Sequence, residues 1–283
     1  MTFTLKDIFK HISKTLREAK FESSNIEANI MLSHSLNLSI EKIFMNQNKK
    51  IYKKTVTKIL KFLDRRLNGE PLSYIVGYKY FFSIKFEIDK SVLIPRPETE
   101  ILVNKSLKII KKNNTKKILD VCCGSGCVGI SLIKNIRNIK VDFSDVSKKA
   151  LSICKKNIKK FRINKRCKTY ANSYIGNRKE KYDLIVSNPP YVSIYEYEKL
   201  SKEIQDYEPK IALVSPDDGY KHLEKIIKQS TKSLNFGGYL AVEIGWKQSK
   251  KVVNFFQKYG FNDIVVDKDL NNINRVVSGI WKN

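Results

Sequence analysis

Hydrophobic residues recur every three or four positions through residues 1–74, a spacing that predicts amphipathic α-helices. A Ser23-Ser24-Asn25 cap precedes the second helical segment, and Gly69 follows the last one, where a helix C-cap is expected. The apolar positions of the three faces are Leu5, Ile8, Phe9, Ile12 and Leu16; Ile26, Ile30, Met31 and Leu38; and Val56, Ile59, Leu60, Leu63 and Leu67. We predict a small all-α domain over residues 1–74.

The spacing changes to alternating aromatic and apolar residues between residues 75 and 90, with Ser83 at the expected turn. This pattern predicts a β-hairpin that links two domains. Pro95 and Pro97 then precede a predicted helix over residues 98–112.

From residue 116 onward, short apolar runs alternate with helical patterns. This alternation predicts an α/β domain over residues 91–283 with a doubly wound, seven-stranded sheet. The last two predicted strands have no helix between them, so they should pair antiparallel. The predicted strands lie near residues 117–121, 140–144, 167–171, 182–187, 238–244, 261–266 and 274–281.

The segment Asn188-Pro189-Pro190-Tyr191 follows the apolar strand that ends at Ser187. Two consecutive prolines stop that strand, so Asn188 should lie at the carboxyl edge of the sheet, where open α/β folds bind ligands. An amide oxygen and proline carbonyls there can accept the N–H hydrogens of a planar amide or aromatic amine. A fixed set of such acceptors suits chemistry on a planar nitrogen.

A glycine-rich turn, Cys122-Cys123-Gly124-Ser125-Gly126, follows the predicted strand 117–121. Glycines between a strand and a helix let backbone N–H groups approach a ligand closely. Asp145 ends the next strand, the position of an acid that binds ribose hydroxyls.

This order of glycine turn, acid and Asn-Pro-Pro-Tyr resembles the class I S-adenosylmethionine-dependent methyltransferases. Further segments narrow the resemblance to the release factor glutamine N5-methyltransferase family, and the match covers almost the whole chain. These segments are Gly69-Glu70-Pro71-Leu72-Ser73-Tyr74-Ile75, Leu93-Ile94-Pro95-Arg96-Pro97-Glu98-Thr99-Glu100, and Glu243-Ile244-Gly245 with Gln248.

The resemblance implies a Rossmann-like methyltransferase sheet, S-adenosyl-L-methionine as methyl donor without a metal, and the glutamine of the Gly-Gly-Gln motif in peptide chain release factors as acceptor. It assigns the N-terminal helical domain to recognition of the protein substrate. The cofactor-binding residues that it implies are Cys122, Cys123, Gly124, Ser125, Gly126, Asp145, Asn172, Ser173 and Asn188; the catalytic and substrate-binding ones are Asn188, Pro189, Pro190 and Tyr191.

Two positions of the predicted donor site depart from the family pattern, in addition to Asn271, Asn272 and Asn274 near the C-terminus. Cys122 stands where the family usually has glycine, so its side chain could crowd the donor or oppose a positive φ. Asn172 stands where many relatives carry an acid, at the adenine end of the donor site.

Composition adds bounds on partners and cellular location. The chain has 54 Lys and Arg against 28 Asp and Glu, a formal net charge of +26, spread over every predicted helix. We interpret this charge as the result of a lysine-rich composition and not as a nucleic-acid site. It should give at most nonspecific attraction to nucleic acid. Five cysteines without a Cys-x-x-Cys pair do not predict a zinc site or a disulfide framework. Without a long apolar run or a secretory signal pattern, we expect a cytoplasmic monomer with no membrane partner.

Three other functions stay open from the sequence. One is methylation of a glutamine in a large-subunit ribosomal protein, which uses the same Asn-Pro-Pro-Tyr chemistry. Another is adenine-N6 methylation of DNA or RNA, with the base flipped into the pocket. A third is a catalytically silent RNA-binding protein, against which the intact Gly124, Gly126, Asp145 and Asn188 argue.

Overall fold

The computed structural model describes residues 3–176 and 179–282. The chain divides into two compact units, Met1–Gly77 and Tyr78–Asn283. No helix in the described ranges is long and apolar enough to cross a membrane.

The helices and strands that the sequence predicted occur in the predicted order, together with short elements that it did not predict. The helices are α1 Leu5–Glu18, α2 Ser24–Leu36, α3 Ile40–Met45, α4 Lys53–Leu67, α5 Leu72–Val76, α6 Thr99–Asn113, α7 Cys127–Asn135, α8 Lys148–Lys160, α9 Ile194–Tyr197, α10 Lys202–Tyr207, α11 Lys221–Ser230 and α12 Ser249–Lys258. The strands are β1 Phe3–Thr4, β2 Lys50–Ile51, β3 Tyr78–Phe81, β4 Ile84–Glu87, β5 Lys117–Val121, β6 Lys140–Asp145, β7 Cys167–Ala171, β8 Tyr182–Ser187, β9 Leu234–Glu243, β10 Phe261–Lys268 and β11 Asn274–Trp281.

The first unit is helical, and its core contains eight of the fourteen apolar positions that the helical spacing named. Thr4 and Asp7 cap α1 reciprocally, so two otherwise unpaired N–H groups at its start are satisfied. The buried residues of this core are Leu5, Ile8, Ile12, Leu16, Ala28, Met31, Leu32, Ile43, Ile51, Val56, Ile59, Phe62, Leu63 and Ile75.

The helical spacing was wrong at three of the named positions. Ile26, Leu60 and Leu67 are 63%, 38% and 40% exposed, because Ile26 lies on the side of α2 opposite its buried residues, and Leu60 and Leu67 lie beside the buried stripe of α4. Leu38 lies beyond α2, which ends where Asn37 adopts a left-handed conformation. The spacing also missed the two-residue pair of β1 and β2, which is too short to leave a periodic signal.

The β3–β4 hairpin turns at Phe82 and Ser83, both with positive φ, as a tight hairpin turn requires. It belongs to the second unit, and Asn157 of α8 fastens it there. The Asn157 amide accepts from the Glu87 N–H over 2.8 Å and donates to the carbonyl oxygens of Glu87 and Ser125. The hairpin is therefore joined through one buried amide to the glycine-rich turn.

The large sheet has seven strands in the order β10-β11-β9-β8-β5-β6-β7. Strands β9, β8, β5, β6 and β7 run parallel, and β11 pairs antiparallel with both β9 and β10. This confirms the predicted doubly wound sheet and its antiparallel end. Strand β9 begins at Leu234, four positions before the predicted start near 238, with a register irregularity opposite Tyr182 and Leu184.

Strand order reverses between β5 and β8, because β6 and β7 lie to one side of β5 and β8 lies to the other. Such a switch point opens a crevice at the carboxyl ends of the strands. The final residues of the two strands, Val121 and Ser187, are register partners, and the Ser187 hydroxyl donates to the Val121 carbonyl over 2.8 Å. The glycine-rich turn and Asn188 are thereby brought to the same point of the sheet.

Candidate active site at the switch point

A cavity lies at this switch point, and both predicted motifs contribute to its wall. From the glycine-rich segment it is lined by Cys122, Cys123, Gly124 and Ser125; from β6 and the following turn by Asp145, Val146 and Ser147; from the Asn-Pro-Pro-Tyr segment by Asn188 and Pro190; and from the segment before and into α6 by Pro95, Arg96 and Thr99. The cavity therefore joins segments that are separate in sequence, and Ile211 and Ala212 add a further one.

The glycine-rich turn is built from residues with positive φ. Cys122, Gly124 and Gly126 have φ of 57°, 53° and 79°. The Cys123 N–H donates to the Ser144 carbonyl over 3.1 Å, so the turn is tied to the end of β6. A Cβ at Gly126 would lie 2.8 Å from the Cys154 sulfur, so glycine is also required there for space.

Cys122 thus adopts the left-handed conformation that glycine would adopt without strain. Its side chain packs against the apolar core on one side of the sheet and also contributes to the cavity wall. Burial raises the pKa of the Cys122 thiol, as do the nearby carboxylates of Asp145 and Asp120. The thiol is therefore protonated and is not a competing nucleophile.

The Asp145 carboxylate is held in place by backbone N–H groups. Its Oδ2 accepts from Gly124 over 2.9 Å and its Oδ1 accepts from Ser147 over 2.8 Å. Burial raises the pKa of Asp145, and hydrogen bonds from the backbone N–H groups of Ser147, Gly124 and Val146 oppose the rise. An ionised carboxylate has about four acceptor positions, so acceptor capacity remains for a ligand.

Asp120 is a cavity residue that the sequence reasoning missed. It is 1% exposed, its Oδ2 accepts from the Gly129 N–H over 2.9 Å, and it borders the cavity. Burial raises the pKa of Asp120 to about 7, with the Asp145 charge adding to the rise. The available signal was an acid inside an otherwise apolar strand, Lys117-Ile118-Leu119-Asp120-Val121, where a charge has no ordinary structural use.

Asn188 is half-buried, and its side-chain nitrogen donates to the Thr99 hydroxyl oxygen over 3.0 Å. Thr99 is the first residue of α6 and is 2% exposed. The resemblance drew attention to the segment that contains Thr99, but sequence reasoning assigned no role to this residue.

Tyr191 directs its hydroxyl toward Glu243 at the end of β9. The hydroxyl donates to Glu243 Oε1 over 3.1 Å. Burial and the neighbouring Glu243 hold the pKa of Tyr191 well above its usual range, so this phenol is not a base.

Glu243 is 2% exposed, and its Oε2 atom has no hydrogen-bond partner among residues 3–176 and 179–282. Burial raises the pKa of Glu243 to about 7. The hydroxyls of Thr99 and Tyr191 and the charge of Arg275 oppose this rise, whereas Glu98 adds to it. Sequence reasoning quoted Glu243 for the resemblance and assigned it no function.

Arg96 borders the cavity and forms an ion pair with the buried Glu208 carboxylate. Glu208 also accepts from the Ile94 N–H over 3.2 Å. The Ile94-Pro95-Arg96 segment is therefore fixed to the end of α10, and this contact holds one side of the cavity.

The structure brings most of the predicted site residues together. Seven of the twelve border the cavity, namely Cys122, Cys123, Gly124, Ser125, Asp145, Asn188 and Pro190. Gly126, Pro189, Tyr191, Asn172 and Ser173 are not in its described lining. The Asn172 amide instead packs over Gly176, where an added Cβ would lie 2.6 Å from its nitrogen. The roles assigned to all twelve stay predictions.

Comparisons with known proteins agree over both units. Residues 98–204 match the Methyltransferase small domain family, and residues 7–77 match the PrmC N-terminal domain family. The fold is similar to that of a methyltransferase from Pyrococcus furiosus, with a TM-score of 0.52 and 15% identity over 82% of this chain and 100% of that one.

Two curated relatives align over nearly the whole of this chain. A bifunctional methyltransferase of Rickettsia prowazekii is 33% identical over 98% of this chain, which spans 57% of that relative's length. A release factor glutamine methyltransferase of Clostridium botulinum is 37% identical over 96% of this chain and 98% of its own. Because that alignment includes both units and nearly all of each protein, this chain belongs to the release factor glutamine methyltransferase family.

Proposed function

We propose that this chain transfers a methyl group from S-adenosylmethionine to the side-chain amide nitrogen of the glutamine in the Gly-Gly-Gln motif of peptide chain release factors. The observation that carries the proposal is the position of Asn188. Its amide borders the same cavity as the glycine-rich turn and Asp145, at the switch point of the sheet.

The residues at the cavity fit the methyl donor chemically. The carboxylate of Asp145 keeps acceptor capacity for a ribose hydroxyl, and the turn from Cys122 to Gly126 presents backbone at the start of α7. Asn172 and Ser173 are our candidates for the adenine end. S-adenosylmethionine, when bound, supplies an electrophilic methyl group.

The protein's task at the acceptor is to orient an amide whose nitrogen lone pair is delocalised. Asn188 Oδ1 and the proline carbonyls accept the N–H hydrogens of the target glutamine, and Pro190 limits the space around its plane. The target nitrogen would bond to the methyl carbon as the carbon–sulfur bond of the donor breaks, which leaves S-adenosylhomocysteine, and the methylated nitrogen would then release one proton to water. Asparagine does not titrate, so Asn188 positions the amide and does not remove that proton.

Release factors are our proposed partner, and residues 1–74 are the proposed recognition domain. A protein acceptor requires a second contact surface besides the cavity, since a single amide carries little information. The helical first unit, which matches the PrmC N-terminal domain family, is the part of the chain available for this role.

The test is a methyl-transfer assay that offers several acceptors in parallel, with the modified residue located by mass spectrometry. The acceptors are a release factor, the same release factor with its target glutamine changed to alanine, a large-subunit ribosomal protein, and DNA. We expect methylation of the first alone. Methylation of DNA adenine, or equal methylation of the alanine form, would overturn the proposal, and preference for the ribosomal protein would transfer it to the sister activity.

Asn188→Ala should lower turnover on release factor by about 100-fold or more. Losses of this size are typical when an active site loses one preorganised polar group. Asn113→Ala is the matched control, because the Asn113 side chain donates to the Ile109 carbonyl within α6, away from the cavity lining. Near-normal turnover in Asn188→Ala at saturating donor would contradict the proposed mechanism.

A further inference from the structure

Asparagine side chains present nearly the same shape when their amide is rotated by half a turn. The two orientations differ chemically, because one presents an acceptor and the other presents a donor. The proposed function requires that Asn188 present its oxygen to the target amide. Some group must therefore select this orientation.

The contacts around Asn188 contain such a group. The Asn188 nitrogen donates to the Thr99 hydroxyl oxygen over 3.0 Å, and the Thr99 hydroxyl lies beside the Glu243 carboxyl. Thr99 and Glu243 are each 2% exposed, so water does not compete freely at either residue.

A hydroxyl has one proton to donate. If the Thr99 proton is directed to Glu243, its oxygen can only accept from Asn188, which requires that the Asn188 NH₂ face Thr99. Glu243 has an acceptor available for that proton, since its Oε1 accepts from Tyr191 while its Oε2 has no partner in the described part of the chain. A buried acceptor without a donor is costly, so a Thr99 hydrogen bond to this carboxyl is favoured.

We propose that Glu243 is a positioning residue, which acts through the Thr99 hydroxyl to fix the orientation of the Asn188 amide. Glu243 does not contact the substrate in this arrangement. The inference rests on the proposed function, since it concerns how the site distinguishes its acceptor.

The arrangement makes a specific demand on the acceptor. With its oxygen toward the target, Asn188 accepts an N–H from glutamine and repels the carboxylate of glutamate, which has the same shape and no N–H. With the amide reversed, Asn188 would donate to glutamate. The preference for glutamine over glutamate therefore reports the orientation of Asn188. If Thr99 had only a structural role, replacing it would leave this preference unchanged.

The experiment measures dissociation constants by calorimetry for a release factor and for its target glutamine→glutamate form. S-adenosylhomocysteine replaces the donor, so no transfer occurs. The unsubstituted enzyme should bind the glutamine form on the order of 10-fold more tightly. Thr99→Val, which keeps the side-chain shape and removes the hydroxyl, should abolish most of this preference and lower kcat on the order of 100-fold.

Two variants serve as controls. Thr99→Ser retains the hydroxyl and should restore the preference for glutamine. Ser106→Ala removes another buried hydroxyl from α6, one that donates only to the Leu102 carbonyl, and should change neither binding preference nor kcat.

Glu243→Gln tests the other end of the arrangement. Glutamine can donate as well as accept, so it no longer dictates where the Thr99 proton points. The preference for glutamine over glutamate should fall in this variant too. An unchanged preference in Thr99→Val, or in a folded Glu243→Gln protein, would overturn the inference while leaving the methyltransferase activity in place. Absence of methyl transfer to release factor by the unsubstituted enzyme would instead refute the proposed function.

Discussion

The Gln248 side chain holds the backbone of Tyr191. Its nitrogen donates to the Tyr191 carbonyl oxygen over 3.0 Å, and its oxygen accepts from the Gly245 N–H over 2.9 Å. Gln248 is 5% exposed, so both backbone groups depend on it for their partners. One side chain therefore joins the Asn-Pro-Pro-Tyr segment to the turn that follows β9.

Replacing this amide by a chain of similar length should weaken the turn. Gln248→Met leaves the Tyr191 carbonyl and the Gly245 N–H unsatisfied, and we expect a loss of roughly 1–3 kcal/mol in the free energy of unfolding. Turnover should fall as well, since Asn188 lies in the same turn. Urea denaturation and kcat measure the two effects, and Gln257→Met on the exposed face of α12 is the control.

Gly219 lies against the same Tyr191 carbonyl. A Cβ at this position would be 2.3 Å from that oxygen and 2.7 Å from the Gln248 nitrogen, so an alanine must displace the turn. Gly237 has a similar positive φ but nothing within 4 Å of an added Cβ. We expect Gly237→Ala to lower the free energy of unfolding by about 1 kcal/mol because of its backbone conformation. Gly219→Ala should lower it by roughly 1–3 kcal/mol more, because the added Cβ also crowds its neighbours. Equal losses in thermal denaturation would contradict this account of the turn.

The left-handed Cys122 gives a third prediction. Glycine relieves the contact between Cβ and backbone at φ 57°, whereas alanine retains it. We compare Cys122→Gly with Cys122→Ala, because both remove the thiol. The glycine variant should be more stable by about 1 kcal/mol in urea denaturation, even though glycine has more freedom in the unfolded chain. If the thiol also crowds the donor, both variants should bind S-adenosylmethionine more tightly than the unsubstituted protein.

The sequence predicted the sheet well because its strands carry strong signals. Buried parallel strands read as continuous apolar runs, and Val121 and Ser187 each end such a run. The prolines after Asn188 and the glycines after Cys123 interrupt the pattern at the points where the chain leaves the sheet. The carboxyl edge, and with it most of the cavity, could therefore be located without coordinates.

The supporting contacts could not be located in this way. Thr99 and Asn188 are 89 positions apart, and Gln248 and Tyr191 are 57 apart, so no local spacing connects them. Hydrogen bonds of this kind depend on which strand lies beside which, and the order β9-β8-β5 was settled only by the folded sheet. The orientation of Tyr191 toward Glu243 belongs to the same class of contact.

Asp145 provides a test that separates ligand binding from folding. Asp145→Asn weakens an acceptor for ribose hydroxyls, and affinity for S-adenosylmethionine should fall on the order of 10-fold or more. Asp183→Asn is the matched control, since the Asp183 carboxylate also accepts two backbone N–H groups, from Lys116 and Lys117, but at the opposite end of the sheet. Both variants should lose stability, and only Asp145→Asn should lose affinity in calorimetry. Equal affinity in the two variants would remove Asp145 from the donor site.

Glu243 should make stability and activity respond to pH in opposite directions. Its pKa rises from an ordinary 4.5 to about 7 in the folded protein, principally through burial. The groups that face it are Thr99 and Glu98 at the start of α6, Tyr191 in the Asn-Pro-Pro-Tyr turn, and Arg275 on β11. Between pH 4.5 and 7 the folded chain therefore retains a proton that the unfolded chain releases.

The sign for stability follows from this difference in bound protons. Because the folded state binds more protons, the free energy of unfolding falls as pH rises through the window, by roughly 3 kcal/mol for this one group. Glu243→Gln cannot ionise and should lack this fall. The pH dependence contributed by Asp120 is common to both proteins and cancels in the comparison. Urea denaturation at pH 4.5, 6 and 7.5 measures the difference, and parallel curves for the two proteins would contradict the assignment.

The kcat for release factor should rise with pH over the range in which stability falls. A protonated Glu243 can donate to the Thr99 oxygen, and the Thr99 proton would then point to Asn188 and favour the reversed amide. Ionised Glu243 can only accept, which is the state that holds the Asn188 oxygen toward the target. We therefore expect kcat for release factor to rise with pH through about 7 in the unsubstituted enzyme, at saturating donor and acceptor. Glu243→Gln should show a lower kcat without this rise, and a rise of the same size in both proteins would assign it to another group.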